Sequence, residues 1–88
     1  MKIIRTAAAG TLESSDALVT AAPCEGVQID IQSVVLRQFG AAIEASAREV
    51  IADLHADNVH LIIEDRGAVD CVLRARIETA LLRAAKEV

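Results

Sequence analysis

Val27-Gln28-Ile29-Asp30-Ile31-Gln32 alternates without a break. Val27, Ile29 and Ile31 share one face, and Gln28, Asp30 and Gln32 share the other. A period of two belongs to a strand with one solvated face, so a strand is predicted over 27–32. Downstream, Ser33 stands where it can cap the next element. Val35, Phe39, Ile43, Ala47, Val50 and Leu54 then recur in steps of three and four, which predicts an amphipathic helix near 34–56. Ala42 and Ile51 widen its stripe, while Arg37, Glu44, Arg48 and Asp53 fall elsewhere. Asp57-Asn58 breaks the pattern. His60-Leu61-Ile62-Ile63-Glu64 is a short, nearly continuous apolar run and reads as an interior strand. Asp65-Arg66-Gly67 is a turn. A second helix is predicted from about 68 to 86 on the stripe Val69, Leu73, Ile77, Ala80, Leu81, Ala84, with Arg74, Glu78 and Arg83 off it.

Upstream, residues 3–12 are mostly small, β-branched or apolar. Glu13-Ser14-Ser15-Asp16 is a turn-like polar cluster, and Ala17-Leu18-Val19-Thr20 resumes an extended pattern that Pro23 ends. This predicts a hairpin with the two serines at its tip. The order is βββαβα. It implies an α+β fold, a small mostly antiparallel sheet with two helices packed on one face, in one domain over residues 1–88.

The composition supports a modest aliphatic core. Of the apolar residues, 17 are Ala; nine Val, nine Ile, eight Leu, one Phe and one Met supply the bulk. A chain this short is stable by roughly 5–10 kcal/mol. With 25% charged residues and only four Gly and one Pro, it does not read as disordered. The net charge of −4 and an aromatic content of 1% argue against nucleic-acid binding, which needs basic stripes or stacking platforms. No polybasic patch suits a membrane surface, and no window approaches the roughly 18 apolar residues of a membrane helix. The opening MKIIRTAAAG is too short an apolar run for a secretory signal and is closed by Glu13, so the cytoplasm is the expected location. Cys24 and Cys71 are too few for a disulfide framework. They read as free thiols, Cys71 as a small buried residue.

Few residues form chemistry-bearing constellations. His55 ends a helix and His60 opens a strand, with no paired cysteines nearby, so no metal site is expected. Carboxylate pairs such as Glu64 with Asp65 and Glu13 with Asp16 lie at turns, where solvated charge is the expectation. The four glycines stand apart and form no phosphate loop. Asp70 and Arg74 have the spacing of a helix-surface ion pair, which could equally belong to a docking surface. An exposed hydroxyl on a rigid loop can accept a covalent group from another enzyme, which singles out Ser14 and Ser15, although serines also simply favour turns.

Those residues also carry a family resemblance. Ala9-Gly10-Thr11-Leu12-Glu13-Ser14-Ser15-Asp16 resembles the Gly-Thr-Leu-Glu-Ser-Gly-Asp segment of citrate lyase acyl carrier proteins, the gamma chains. Gln38-Phe39-Gly40 is similar to their Lys-Gln-Phe-Gly segment. Residues 66–76, Arg-Gly-Ala-Val-Asp-Cys-Val-Leu-Arg-Ala-Arg, resemble their Lys-Gly-Ala-Leu-Asp-Cys-Ile-Leu-Arg-Ala-Arg. The three blocks fall in order and span nearly the whole chain. The resemblance implies a carrier with no catalytic residue of its own. It implies that Ser14, with Ser15 as the alternative, carries a 2'-(5''-phosphoribosyl)-3'-dephospho-CoA group through a phosphodiester. The thiol of that group holds acetyl or citryl as a thioester while citrate is cleaved to acetate and oxaloacetate. The implied partners are the alpha chain, an acyl transferase; the beta chain, a citryl lyase; and the transferase that attaches the group. Asp16, Arg74 and Arg76 are candidates for partner docking, Arg74 with the ordinary ion pair as its alternative.

Ser15 departs from the family pattern, which often has Gly there; Gly enters positive φ more readily than Ser. Two alternatives stand beside this reading. One is the related carrier subunit of malonate decarboxylase, whose motif is closer to Gly-Ser-Gly-Asp. The other is an unmodified scaffolding module, indifferent to loss of both hydroxyls. The common helical-bundle acyl carrier is excluded, because its Asp-Ser-Leu motif is absent and the first third reads as strand.

Overall fold

A computed structural model describes residues 1–87. Its elements run β1 (Ala7–Gly10), β2 (Ala17–Pro23), β3 (Val27–Ser33), α1 (Leu36–Asp53), β4 (Val59–Asp65) and α2 (Asp70–Ala85). The strands form one sheet in the order β1-β2-β4-β3. β1 pairs with β2 and β2 with β4 antiparallel, whereas β3 pairs with β4 in parallel. The predicted βββαβα order and mostly antiparallel sheet are both present. The parallel pair follows from the crossover: β3 and β4 are joined through helix α1, the connection that parallel neighbours require.

β4 is interior, as its apolar run predicts. Val59, Leu61, Ile63 and Asp65 point into the core, while His60, Ile62 and Glu64 lie half-buried on the opposite face. The core continues with Ala17, Val19 and Ala21 of β2, Ile43, Ala47, Val50 and Ile51 of α1, and Leu73, Ile77, Ala80, Leu81 and Ala84 of α2. Burying one such Leu or Ile contributes about 1.5–3 kcal/mol. Alanines at 9, 17, 21, 80 and 84 are all buried where α2 meets β1 and β2.

Several expectations are corrected at the margins. The first strand is Ala7–Gly10 rather than most of 3–12. Residues 4 and 5 instead donate their N–H groups to the Ala84 carbonyl at 2.9 and 3.2 Å, tying the N-terminus to the end of α2. Val27 is exposed and Ile29 and Ile31 are half-buried, because β3 is an edge strand. Helix α1 starts at Leu36, not 34, since Ser33 completes β3 and its Oγ accepts the Val35 N–H at 3.1 Å. It ends in a Schellman arrangement: His55 takes φ 55°, and the N–H groups of His55 and Ala56 reach the Ala52 and Ile51 carbonyls. Phe39 and Val69, expected on buried stripes, are 49% and 63% exposed. Cys71 is exposed rather than buried, and both cysteines are free thiols.

Candidate functional site

The β1–β2 connection, residues 11–16, is built to hold one shape. Gly10 has φ 95°, and a Cβ there would lie 1.8 Å from the Ala17 carbonyl oxygen, so no other residue can open the loop without moving the backbone. The Thr11 hydroxyl accepts the Glu13 N–H at 3.2 Å and donates to Asp16 Oδ2 at 2.7 Å. The Asp16 N–H donates to the Glu13 carbonyl at 3.2 Å, closing the turn. The loop is then tied to the turn after β4. Ser15 N–H donates to the Arg66 carbonyl, and Arg66 N–H to the Asp16 carbonyl, both at 2.9 Å.

Asp16 is the centre of this arrangement. Its carboxylate accepts Thr11 Oγ1–H, its neighbour Ala17 N–H at 2.7 Å, and a two-pronged contact from Arg76 of α2, with Nε at 2.9 Å and Nη2 at 3.0 Å. A planar guanidinium matches a carboxylate in this way, and such bonds are short and directional. The Arg76 hydrogen bonds, with the Thr11 hydroxyl and the Ala17 N–H, hold the Asp16 carboxyl far below the usual carboxylate range. Asp16 in turn raises the Arg76 guanidinium. The Asp16 side chain is only 14% exposed, so it is not the solvated turn charge that its position suggested.

Ser14 sits on this frame, exposed, and its hydroxyl makes no hydrogen bond among the described residues. Ser15 is also exposed but adopts φ 64°, a left-handed conformation that glycine takes at no steric cost. Neither hydroxyl has a partner among the described residues, so the two serines differ only in backbone: Ser14 is ordinary, and Ser15 occupies the strained corner of the turn.

Arg74 lies on the same helix as Arg76 but joins a different cluster. Its Nε contacts Asp70 at 2.7 Å, the predicted i,i+4 pair, and its Nη2 reaches Glu49 of α1 at 3.3 Å. Ser46, buried on α1, donates to Asp70 at 2.5 Å. The Ser46 and Arg74 hydrogen bonds lower the Asp70 carboxyl. This cluster clips α1 to α2. Asp65, expected at a solvated turn, is buried and satisfied. It accepts the Ser33 hydroxyl at 2.7 Å and the N–H groups of Gly67 and Ala68 at 3.1 and 3.0 Å. His60 pairs with Asp30 at 2.6 Å, away from His55, and the described residues contain no cluster of three metal-ligating side chains. Sequence reasoning missed the Asp16–Arg76 pairing because its partners are 60 residues apart; the only available signal was that both belonged to the family-like blocks.

The fold and loop together define a small α+β protein that presents two exposed serine hydroxyls, Ser14 in ordinary backbone and Ser15 at positive φ, on a braced hairpin turn. The family described as "ACP: Malonate decarboxylase delta subunit (MdcD)" matches residues 4–84. Citrate lyase acyl carrier proteins of Yersinia enterocolitica, Haemophilus influenzae and Escherichia fergusonii are 55%, 52% and 49% identical, each over 99% of this chain and 92% of the relative. A subunit in the crystal structure of a Pseudomonas malonate decarboxylase hetero-tetramer in complex with malonate shares the fold. Its TM-score is 0.75 at 24% identity, covering 94% of this chain and 87% of that one. The chain belongs to the citrate lyase acyl carrier protein family.

Proposed function

We propose that this chain is the acyl carrier subunit of a citrate lyase complex, and that Ser14 is the covalent attachment point of its prosthetic group. The observation that carries the reading is the exposed Ser14 hydroxyl, unpartnered on a loop that Asp16, Arg76 and Arg66 hold in place, in a chain about half identical to citrate lyase carriers over nearly its full length. A 2'-(5''-phosphoribosyl)-3'-dephospho-CoA group fits such a site, because a phosphodiester needs one accessible hydroxyl and no pocket; when bound it supplies a thiol for acetyl and citryl thioesters.

The chain's own residues do three things. Ser14 Oγ provides the anchor. Asp16 and Arg76 keep the turn rigid, so that the anchor leaves the surface in one direction. Arg74, whose side chain is 35% exposed, meets the large chains directly, while Asp16 and Arg76, taken up by each other, act on partners through the loop they shape. Catalysis belongs to the alpha acyl transferase and beta citryl lyase chains, with a separate transferase loading the serine. A small rigid carrier makes transfers between those sites effectively intramolecular. The complex works in the cytoplasm on this reading; no helix among the described residues is long and apolar enough to cross a membrane.

The malonate decarboxylase carrier remains the second reading, favoured by the family description and by the fold match. The higher identity to citrate lyase carriers ranks it below the first.

The test is peptide mass spectrometry on protein from a host expressing the attachment machinery, with Ser14→Ala alongside. The expected result is a mass gain of that group on Ser14, absent in Ser14→Ala, which folds normally yet gives an inactive complex. A gain on Ser15 moves the site. An active complex built with Ser14→Ala that carries no group on Ser15 refutes the carrier reading.

A further inference from the structure

A groove of about 400 Å³ runs between the start of α1 and the turn that leads into α2. Val35, Phe39, Ala42 and Ile43 line one side, and Val69 and Leu73 the other. Its volume falls in the range of small-molecule sites. Phe39 is the chain's single aromatic residue, yet it is 49% exposed at the rim, opposite the more exposed Val69. Large apolar side chains that face each other across an open groove mark a binding surface more often than scattered exposed ones do.

The groove is joined to the anchor loop through Arg66. Arg66, whose main chain exchanges both hydrogen bonds with Ser15 and Asp16, directly precedes Gly67 and Ala68 of the groove wall. That wall is fixed from below, because the buried Asp65 carboxylate holds the Gly67 and Ala68 N–H groups and the Ser33 hydroxyl. Hydrogen bonds thus hold the Gly67–Ala68 side of the groove in place.

The geometry points to this groove as a resting site for the organic arm attached at Ser14: the apolar part of the arm lies between Phe39 and Val69 when no partner enzyme holds it. The inference rests on Ser14 being the anchor. A short flexible tether gives an effective concentration of order millimolar, so weak apolar contact is enough to hold the arm and weak enough to release it to a partner's active site. The free thiol or thioester is shielded between visits by a reversible contact.

The experiment compares apo and loaded protein by methyl and aromatic NMR, after intact mass has established complete loading at Ser14. Loading is expected to shift the signals of Val35, Phe39, Ile43, Val69 and Leu73 and to broaden those of the arm. In loaded Val69→Glu, which changes an exposed rim residue and leaves the fold intact, the groove shifts are expected to be lost and the arm signals to sharpen. Complete loading with shifts confined to Ser14 and its neighbours overturns the inference and leaves the carrier reading standing. Groove shifts that persist unchanged in Val69→Glu overturn it too. Groove signals that move only on addition of a large subunit, alike in apo and loaded protein, assign the groove to that partner and overturn it. Absence of any mass gain on Ser14 refutes the attachment reading and this one together.

Discussion

Replacing Ser15 by glycine is expected to stabilise the protein. Ser15 holds φ 64°, where a Cβ crowds the following carbonyl at a cost of roughly 1–2 kcal/mol. Glycine removes that cost but adds backbone freedom to the unfolded chain, worth about 0.4–1 kcal/mol against folding. The Ser15 hydroxyl has no partner among the described residues, and the Ser15 N–H, which donates to Arg66, is kept by glycine. The net gain is about 0.5–1 kcal/mol. Near its midpoint an 88-residue chain unfolds with an entropy of about 0.18 kcal/mol/K, so the expected rise in Tm is about 3–5 °C. Thermal and urea unfolding followed by far-UV circular dichroism measure it. Ser15→Ala is the control: it removes the hydroxyl but keeps the Cβ, so it should show no such gain. A Ser15→Gly protein no more stable than the parent, or an equal gain from Ser15→Ala, refutes the argument from backbone strain.

Three further outcomes are expected. Gly10→Ala places a Cβ on the Ala17 carbonyl at left-handed φ, and should destabilise by about 2 kcal/mol or more in urea unfolding. The Asp16 carboxyl has a depressed folded pKa, so its stabilisation is fully present above its unfolded value near 3.9 and is lost as pH falls below that toward the folded value. Acid unfolding curves should therefore lose part of their slope below pH 4 in Arg76→Gln, which removes the main cause of the depression. Arg74→Glu should place a third carboxylate between Glu49 and Asp70, loosening α1 on α2 and weakening co-purification with the large chains; unchanged co-purification would leave Arg74 a purely intramolecular residue.

Periodicity revealed most of the fold, and it failed where a side chain's partner was distant. Residues 27–32, 60–64 and the stripe from Leu73 to Ala84 were legible because strand and helix periods are local. Phe39 and Val69 follow the apolar stripes but are exposed, because Val69 precedes α2 as its N-cap and Phe39 lies in the first turn of α1, where both line the open groove. Asp65 looked like a solvated turn residue; its burial depends on Ser33, which lies 32 residues earlier. In the site, the hairpin tip and its two serines were legible from turn chemistry. The difference between Ser14 and Ser15 lies in one backbone dihedral, and its one sign in the sequence is the glycine that the family pattern often has at position 15. The brace from Arg76 was beyond reach for the same reason as Asp65: contacts across 60 residues leave no periodic trace.

The long span of the Asp16–Arg76 contact also orders events during synthesis. A ribosome releases Asp16 sixty residues before Arg76. Until the last helix has emerged and docked, the hairpin tip lacks its two-pronged clamp, and the tie to Arg66 also waits for the second half of the chain. The clamped shape of the tip therefore exists only once α2 has docked on the sheet.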